Sequence, residues 1–368
     1  MYMSYQGINL ENVKLQNRSS ILRVINNNGA MSRKDIAEAV GLTAASVTLI
    51  CTELLEEGVI VELGEAVEKK RAGRKKILVD INHDYKKVLC IAIESDETYI
   101  SLTNLRGDVI CSYVLATDKT AAPEMFLRAI TDECKKLLWE KDIHKSDVMA
   151  VAVTIPGKVD RATGRSLNSV NVWTKEVPVG EIISKELGYK VIVENNLKAF
   201  AQSEIFFGQG RIESNILMLK WGPGVGSAII VNQQIYEGAF GQAAEIGHIT
   251  AVKNGRLCNC GRKGCLEAYI STHALREGKK TPIEEIDIPD DKIDLFAHNV
   301  RNAVAMMDPM KVVLFGYFFD KPGVTERFIQ SYRQYDNSIS EDFFAKSTLP
   351  VLKSHTEGLA VVMDEMFF

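Results

Sequence analysis

Glu245-Ile246-Gly247-His248, followed after nine residues by Cys258-Asn259-Cys260-Gly261-Arg262-Lys263-Gly264-Cys265-Leu266-Glu267, decides how this chain is read. Three of its seven cysteines fall within the eight residues 258–265. An odd cysteine count without a secretory signal argues against a disulfide framework. His248, Cys258, Cys260 and Cys265 instead offer one imidazole and three thiolates, a tetrahedral set suited to zinc. Protein fills all four positions, so no open site remains for water, and the expected zinc is structural. Gly261 and Gly264 let the short loop fold around the ion. The bland alternative is a group of free buried cysteines.

On either side the pattern is strand, turn and helix. Residues 88–93, 99–102 and 109–114 read as strands, 123–139 as a helix by period, and 148–155 as a buried strand running into Pro156-Gly157. Another strand is predicted at 191–194 and a helix at 197–207. Strands at 216–220 and 227–231 flank Gly222-Pro223-Gly224-Val225-Gly226. Residues 351–368 read weakly as a closing helix, interrupted by Gly358. The alternation indicates an α/β body of two lobes with a cleft, and no internal repeat is visible. The expected division is a head at 1–80, a first lobe at 81–195 completed by 351–368, and a second lobe at 196–350 carrying the zinc loop. The chain has 368 residues, 46% hydrophobic and 25% charged, with net charge −4, which excludes disorder as its main description. No apolar run approaches a membrane span, and the expected compartment is the cytoplasm.

Charge is unevenly placed. Residues 1–80 hold 11 Lys/Arg against 10 Asp/Glu, and six of the eight residues 69–76 are basic. A basic run alone is usually a solvated face. Here it follows an apolar segment with Ile21, Leu22, Val24 and Ile25, then a capping box at Ser32-Arg33-Lys34-Asp35. A short helix follows with Ile36, Ala37 and Val40 inward, a turn at Gly41-Leu42, and a third helix capped by Thr43. Strands at 59–61 and 77–79 bracket the basic loop. Three helices and a two-stranded wing make a winged helix-turn-helix. Thr43, Ser46 and Thr48 would face the major groove of double-stranded operator DNA. Arg71, Arg74 and Lys75 would enter the minor groove, where negative potential attracts cations. The third helix has no Arg or Lys, so base readout should be modest and the wing should supply much of the affinity. A winged helix that binds protein is the alternative.

The zinc stretch, Pro156-Gly157-Lys158-Val159-Asp160, Asn171-x-Trp173 and Glu194-Asn195-Asn196 together resemble the ROK family of repressors, open reading frames and sugar kinases, from about Asn17 to the end of the chain. The resemblance implies an actin-like, ATPase-type pair of α/β lobes. It places Asn171, Asn195, Asn196, Glu245, His248 and Glu267 around a sugar or sugar phosphate, with His248 serving both zinc and sugar. A winged head marks the repressor branch, whose members include xylose- and N-acetylglucosamine-type repressors. Departures from the kinase branch point the same way. Its glycine-rich phosphate loop is here Glu94-Ser95-Asp96-Glu97-Thr98, whose carboxylates would repel nucleotide. Its catalytic Asp is Asn196, an amide that cannot act as a base. A bulky Tyr317 follows Gly316, and Pro223 stands for a Thr. Ala244 replaces a glycine before Glu245. The expectation is a non-enzymatic, sugar-responsive repressor of carbohydrate use, a homodimer or homotetramer on a palindromic operator. The alternatives are an active ATP-dependent sugar kinase, or a regulator removed from DNA by a docking protein.

Overall fold

The computed structural model describes residues 9–65, 76–169, 172–349 and 355–368. Two compact units emerge, Met1–Glu194 with Gly358–Phe368, and Asn195–Glu357.

The first unit opens with the head. Helix α1 (Leu10–Asn28) starts at an Asn9 cap that accepts the Glu11 amide at 3.2 Å. It begins earlier than its apolar pattern because Lys14–Glu53 and Arg18–Glu57 ion pairs hold the polar first turns. Strand β1 (Met31–Ser32) leads into α2 (Arg33–Val40), then α3 (Ala44–Glu56), β2 (Ile60–Glu65) and β3 (Ile77–Ile81). The sheet order is β1-β3-β2. Two residues are too few to show a strand period, so β1 was not predictable; it exists because Met31 and Ser32 pair with Val79 and Leu78. Ile21, Leu22, Ile25, Ile36, Val47 and Leu54 are fully buried between the helices.

The rest of this unit is built on β4 (Lys87–Ile93), β5 (Glu97–Thr103), β6 (Val109–Ala116), α4 (Pro123–Glu140), β7 (Val148–Ile155), β8 (Lys158–Asp160), β9 (Arg165–Asn168), α5 (Val179–Leu187) and β10 (Val191–Asn195). The main sheet has the order β10-β7-β4-β5-β6, with β8 and β9 a separate pair. Leu127, Ile130 and Leu137 of α4 and Ile183 of α5 share one core with Leu89, Ile91, Val151 and Val153 of the sheet. Met125 is 69% exposed because its neighbours Phe126 and Leu127 take the inward face.

The second unit contains α6 (Asn196–Phe207), β11 (Ile216–Trp221), β12 (Val225–Val231), β13 (Gln234–Ile235), α7 (Glu267–Ile270), α8 (Thr272–Arg276), α9 (Asp290–Met307), β14 (Lys311–Phe315), α10 (Tyr317–Asp320), α11 (Val324–Tyr335) and β15 (Phe344–Lys346). Its sheet runs β13-β12-β11-β14-β15. Trp221 is completely buried, edge-on to Phe296, Phe318 and Phe319, and its indole N–H donates to the Ile270 carbonyl at 2.8 Å.

The two main sheets follow one plan. Each has an antiparallel three-strand meander, then a strand parallel to the first of the three, then an outer strand. The chain therefore carries a structural repeat that its sequence hides, since many apolar side chains satisfy the same buried pattern.

Helix α12 (His355–Val362) and the π-helical turn Met363–Phe367 end the chain. Gly358 does not break this helix. A Cβ there would lie 2.9 Å from Cβ and Sγ of Cys90 on β4 and 3.1 Å from Ala152 on β7. Glycine is what lets the helix lie directly on the sheet. Among the described residues no single helix is long and apolar enough to cross a membrane; the bent pair that meets that test by composition, α2 and α3 at 117°, is the helix-turn-helix itself.

Candidate nucleic-acid interface and metal centre

The head positions its outer helix by caps. Ser32 accepts the Asp35 amide at 3.2 Å and donates its hydroxyl to the Asp35 carboxylate at 2.7 Å. Lys76 reaches the same carboxylate at 3.1 Å. The Ser32 bond, opposed by partial burial and helped by Lys76, holds Asp35 below its ordinary value of 3.8. Lys76 thus ties wing strand to helix and is not spare for a phosphate.

Thr43 caps α3 by accepting the Ser46 amide at 3.1 Å, with the two hydroxyls 2.9 Å apart. Thr48 is exposed and donates back to the Ala44 carbonyl at 2.7 Å. Thr43 and Ser46 therefore serve first to start the helix, while Thr48 lies on its outer face. Ala45, Leu49 and Thr52 share that face at helical spacing, and Leu49 is 61% exposed. Sequence reasoning passed over Ala45 and Leu49 because it sought polar groups; the spacing of the inward Val47, Ile50 and Leu54 would have identified them. Arg71, Arg74 and Lys75 lie outside the described residues.

The metal centre assembles from two turns of the second unit. His248 ends a 3-10 turn, Ile246–His248, that follows Ala244-Glu245; Ala244 adopts φ 65, and its carbonyl accepts the Ser227 hydroxyl. The cysteine loop closes by Cys258 N–H to Arg262 O at 2.8 Å and Gly261 N–H to Cys258 O at 2.9 Å. Gly264 takes φ 80 because a side chain there would strike the Val252 carbonyl. The Tyr269 hydroxyl accepts the Arg256 amide at 2.7 Å, and the Arg256 guanidinium lies over that ring, 5.2 Å from its centroid.

One ligand atom from each of His248, Cys258, Cys260 and Cys265 lies within 4.8 Å of the others. His248 Nδ1 is 3.7 Å from Cys258 Sγ, and Cys260 Sγ is 3.6 Å from Cys265 Sγ. A zinc tetrahedron with bonds of about 2.0–2.3 Å has edges of about 3.3–3.8 Å. The cluster therefore fits a tetrahedral ion. Its electrostatics agree. Burial raises the Cys260 thiol, but Arg262 backbone and side-chain hydrogen bonds outweigh this and bring it to about 6. Burial and the neighbouring sulfurs push Cys265 up to about 12. Three thiolates this close need a cation's positive charge to coexist.

Glu267 follows the loop directly. Its Oε2 accepts the Val225 amide at 3.0 Å, bracing the turn between β11 and β12. Glu245 is exposed at the head of the His248 turn. Asn195 caps α6, its Oδ1 accepting the Leu197 and Lys198 amides at 2.9 and 3.1 Å. Asn196, the first residue of α6, is buried. Asn171 lies outside the described residues. The structure thus groups His248 with the three cysteines and Glu267 with the Gly222-to-Gly226 turn, and gives Asn195 a capping role.

The turn joining β4 to β5 is a tight hairpin closed by Glu94 N–H to Glu97 O at 3.0 Å. Asp96 at its tip pairs with Lys119 at 3.0 Å, and Thr98 is buried against Thr117 at 2.9 Å.

Residues 88–357 match the model of the ROK family, and residues 15–61 match that of winged helix-turn-helix DNA-binding domains. A xylose repressor of Caldicellulosiruptor bescii is 30% identical over 263 residues, 72% of this chain and 65% of that protein. A glucokinase of Halalkalibacterium halodurans is 31% identical over 186 residues, 48% of this chain and 56% of the enzyme. The fold is similar to the crystal structure of a ROK family transcriptional regulator, a homologue of the Escherichia coli Mlc protein. The TM-score is 0.79 at 21% identity, over 96% of each chain. That likeness spans the head as well as the body. The chain belongs to the ROK family, with a winged helix-turn-helix ahead of the ROK body.

Proposed function

We propose that this protein is a sugar-responsive transcriptional repressor that binds operator DNA through its winged helix and leaves it when a sugar or sugar phosphate binds the body. The single observation that carries the reading is the head itself: an α3 whose outer face is small and apolar, joined to a ROK body. Leu49 and Ala45 suit contact with thymine methyl groups, and Thr48 suits a base edge. The basic wing, with Arg71, Arg74 and Lys75, supplies phosphate and minor-groove contacts. Relatives named as repressors support the same reading.

The sugar residues are Asn171, Asn195, Asn196, Glu245, His248 and Glu267, whose amides and carboxylates match the donors and acceptors of carbohydrate hydroxyls. His248, Cys258, Cys260 and Cys265 hold a structural zinc. The ion fixes the imidazole through Nδ1 and so aims the other ring nitrogen. Glu267 ties the zinc loop to the Gly222-to-Gly226 turn, so the loop and that turn move together.

Kinase activity is not part of the proposal. The β4–β5 hairpin carries Glu94, Asp96 and Glu97 where backbone amides would have to meet phosphates, and Asn196 stands where a base is needed. Two copies would present two heads to a palindromic site, as a homodimer or homotetramer. A regulatory protein docking on the body is the second route to release.

The deciding experiment selects operator duplexes from a random pool with the purified chain and titrates D-xylose, D-glucose and N-acetyl-D-glucosamine. Loss of DNA affinity with one sugar is expected. Indifference to every sugar, with calorimetry equally silent, would turn the argument to the docking protein. ATP-dependent phosphorylation of any of these sugars would overturn the non-enzymatic reading.

A further inference from the structure

The last six residues lie between the head and strand β10, which carries Glu194. Asp364, in the π-helical turn, accepts the Arg23 guanidinium of α1 at 3.0 Å, and Arg23 also lies over the Phe368 ring, 5.0 Å from its centroid. Asp364 stands 4.0 Å from Arg161, and the adjoining Glu365 binds Arg161 at 3.2 Å. Arg161 in turn binds Glu194 of β10 at 3.0 Å, and Lys190, the residue before that strand, reaches Glu365 at 3.2 Å. The Glu194 side chain is 5% exposed, so this carboxylate depends on its cationic partner. Arg161 is itself held in place. It follows β8 in a turn where Asp160 accepts the Ala162 and Thr163 amides at 3.1 and 3.4 Å and the Thr163 hydroxyl at 2.7 Å.

These contacts form a continuous charged chain: α1, C-terminal turn, Arg161, Glu194. In sequence Glu194 is followed at once by Asn195 and Asn196. We propose that Arg161 and the C-terminal turn Met363–Phe367 are the positioning elements that transmit events at the Glu194-Asn195-Asn196 end of β10 to α1 of the operator-reading head. The proposal rests on the sugar-site reading only for what drives the change; the coupling itself is a property of the network. The π-helical turn is well placed for this role. Its widened backbone departs from the regular α-helical ladder, and such turns recur at functional positions. Its two acids choose between cations on either side, the head's Arg23 and the body's Arg161 and Lys190. A shift of Glu194 would change the demand on Arg161, then on Asp364 and Glu365, and so on Arg23.

Because coupling is reciprocal, a perturbation at either end must be felt at the other. Hydrogen exchange on the full chain reads this without any ligand. Glu194→Gln should raise amide exchange in α1 by about fivefold or more, and Arg23→Ala should do the same at residues 194–198. Glu365→Gln, a milder change at an exposed carboxylate, should affect both ends and keeps the test open should Glu194→Gln fail to fold. Effects confined to each substituted element would overturn the proposal. A second readout separates coupling from simple bracing. With an operator selected by the unaltered chain, Glu365→Gln should still bind duplex and sugar, but the drop in DNA affinity caused by sugar should shrink by about fivefold or more. An unchanged response would overturn the role of Glu365. If the unaltered chain ignores all three sugars, the inducer reading fails, and the exchange experiment alone still decides the coupling.

Discussion

Single residues decide several features that no pattern displays. Gly358 lies within α12, and its lack of a side chain is what lets that helix lie on β4 and β7. Gly358→Ala should cost about 1–3 kcal/mol through overpacking, read as a lower denaturant midpoint with unchanged helix content. Asp35 is held below its ordinary 3.8 chiefly by Ser32. A carboxyl lowered in the folded state contributes stability that is present above its unfolded value and is lost as pH falls through the folded one. Acid titration followed by circular dichroism should therefore show the head loosening below about pH 4, where the unperturbed carboxyl titrates. Asp35→Asn should weaken the head at neutral pH and remove that part of the acid sensitivity; a variant titrating like the parent would contradict the assignment.

At the scale of elements, the proposed DNA contacts fall on helix α3 and on the wing. The outer face of α3 carries no cation, so truncating it should relax sequence preference more than affinity. Leu49→Ala is expected to blunt discrimination at a thymine-bearing step, measured by competition among operator variants. Arg74→Ala should weaken binding by about 1–3 kcal/mol across sequences and reduce the salt dependence by about one unit of slope, measured by titration at several salt concentrations. The cysteine loop is closed by backbone hydrogen bonds, and the proposed zinc would hold it through His248, Cys258, Cys260 and Cys265. Cys260→Ser, or chelation, should lower the melting temperature and the metal bound per chain, and weaken sugar binding through His248. Retained metal in the serine variant would refute the ligand set.

At the scale of the molecule, two sheets of one plan carry different tasks. The hairpin turn of the first is short and acidic, whereas that of the second is glycine-rich and braced by Glu267. If the acidic hairpin and Asn196 both forbid phosphoryl transfer, Asn196→Asp alone should create no ATP-dependent activity with any sugar tested, since nucleotide, metal and base must be held together. Turnover by this single substitution would show that the hairpin is no obstacle.

Much of this was legible in advance. Binary patterning marked the head helices and the strands because burial enforces periods that survive in a single sequence. The metal set was legible because ligand chemistry permits few residue types at close spacing. What remained hidden depends on contacts distant in sequence: β1, which exists only by pairing with β3; the repeated sheet plan; Glu267 reaching the Val225 amide; and the C-terminal acids meeting Arg23 and Arg161. Local physics writes itself into neighbouring residues, but a partner hundreds of positions away leaves no periodic trace, and only the folded chain brings the two together.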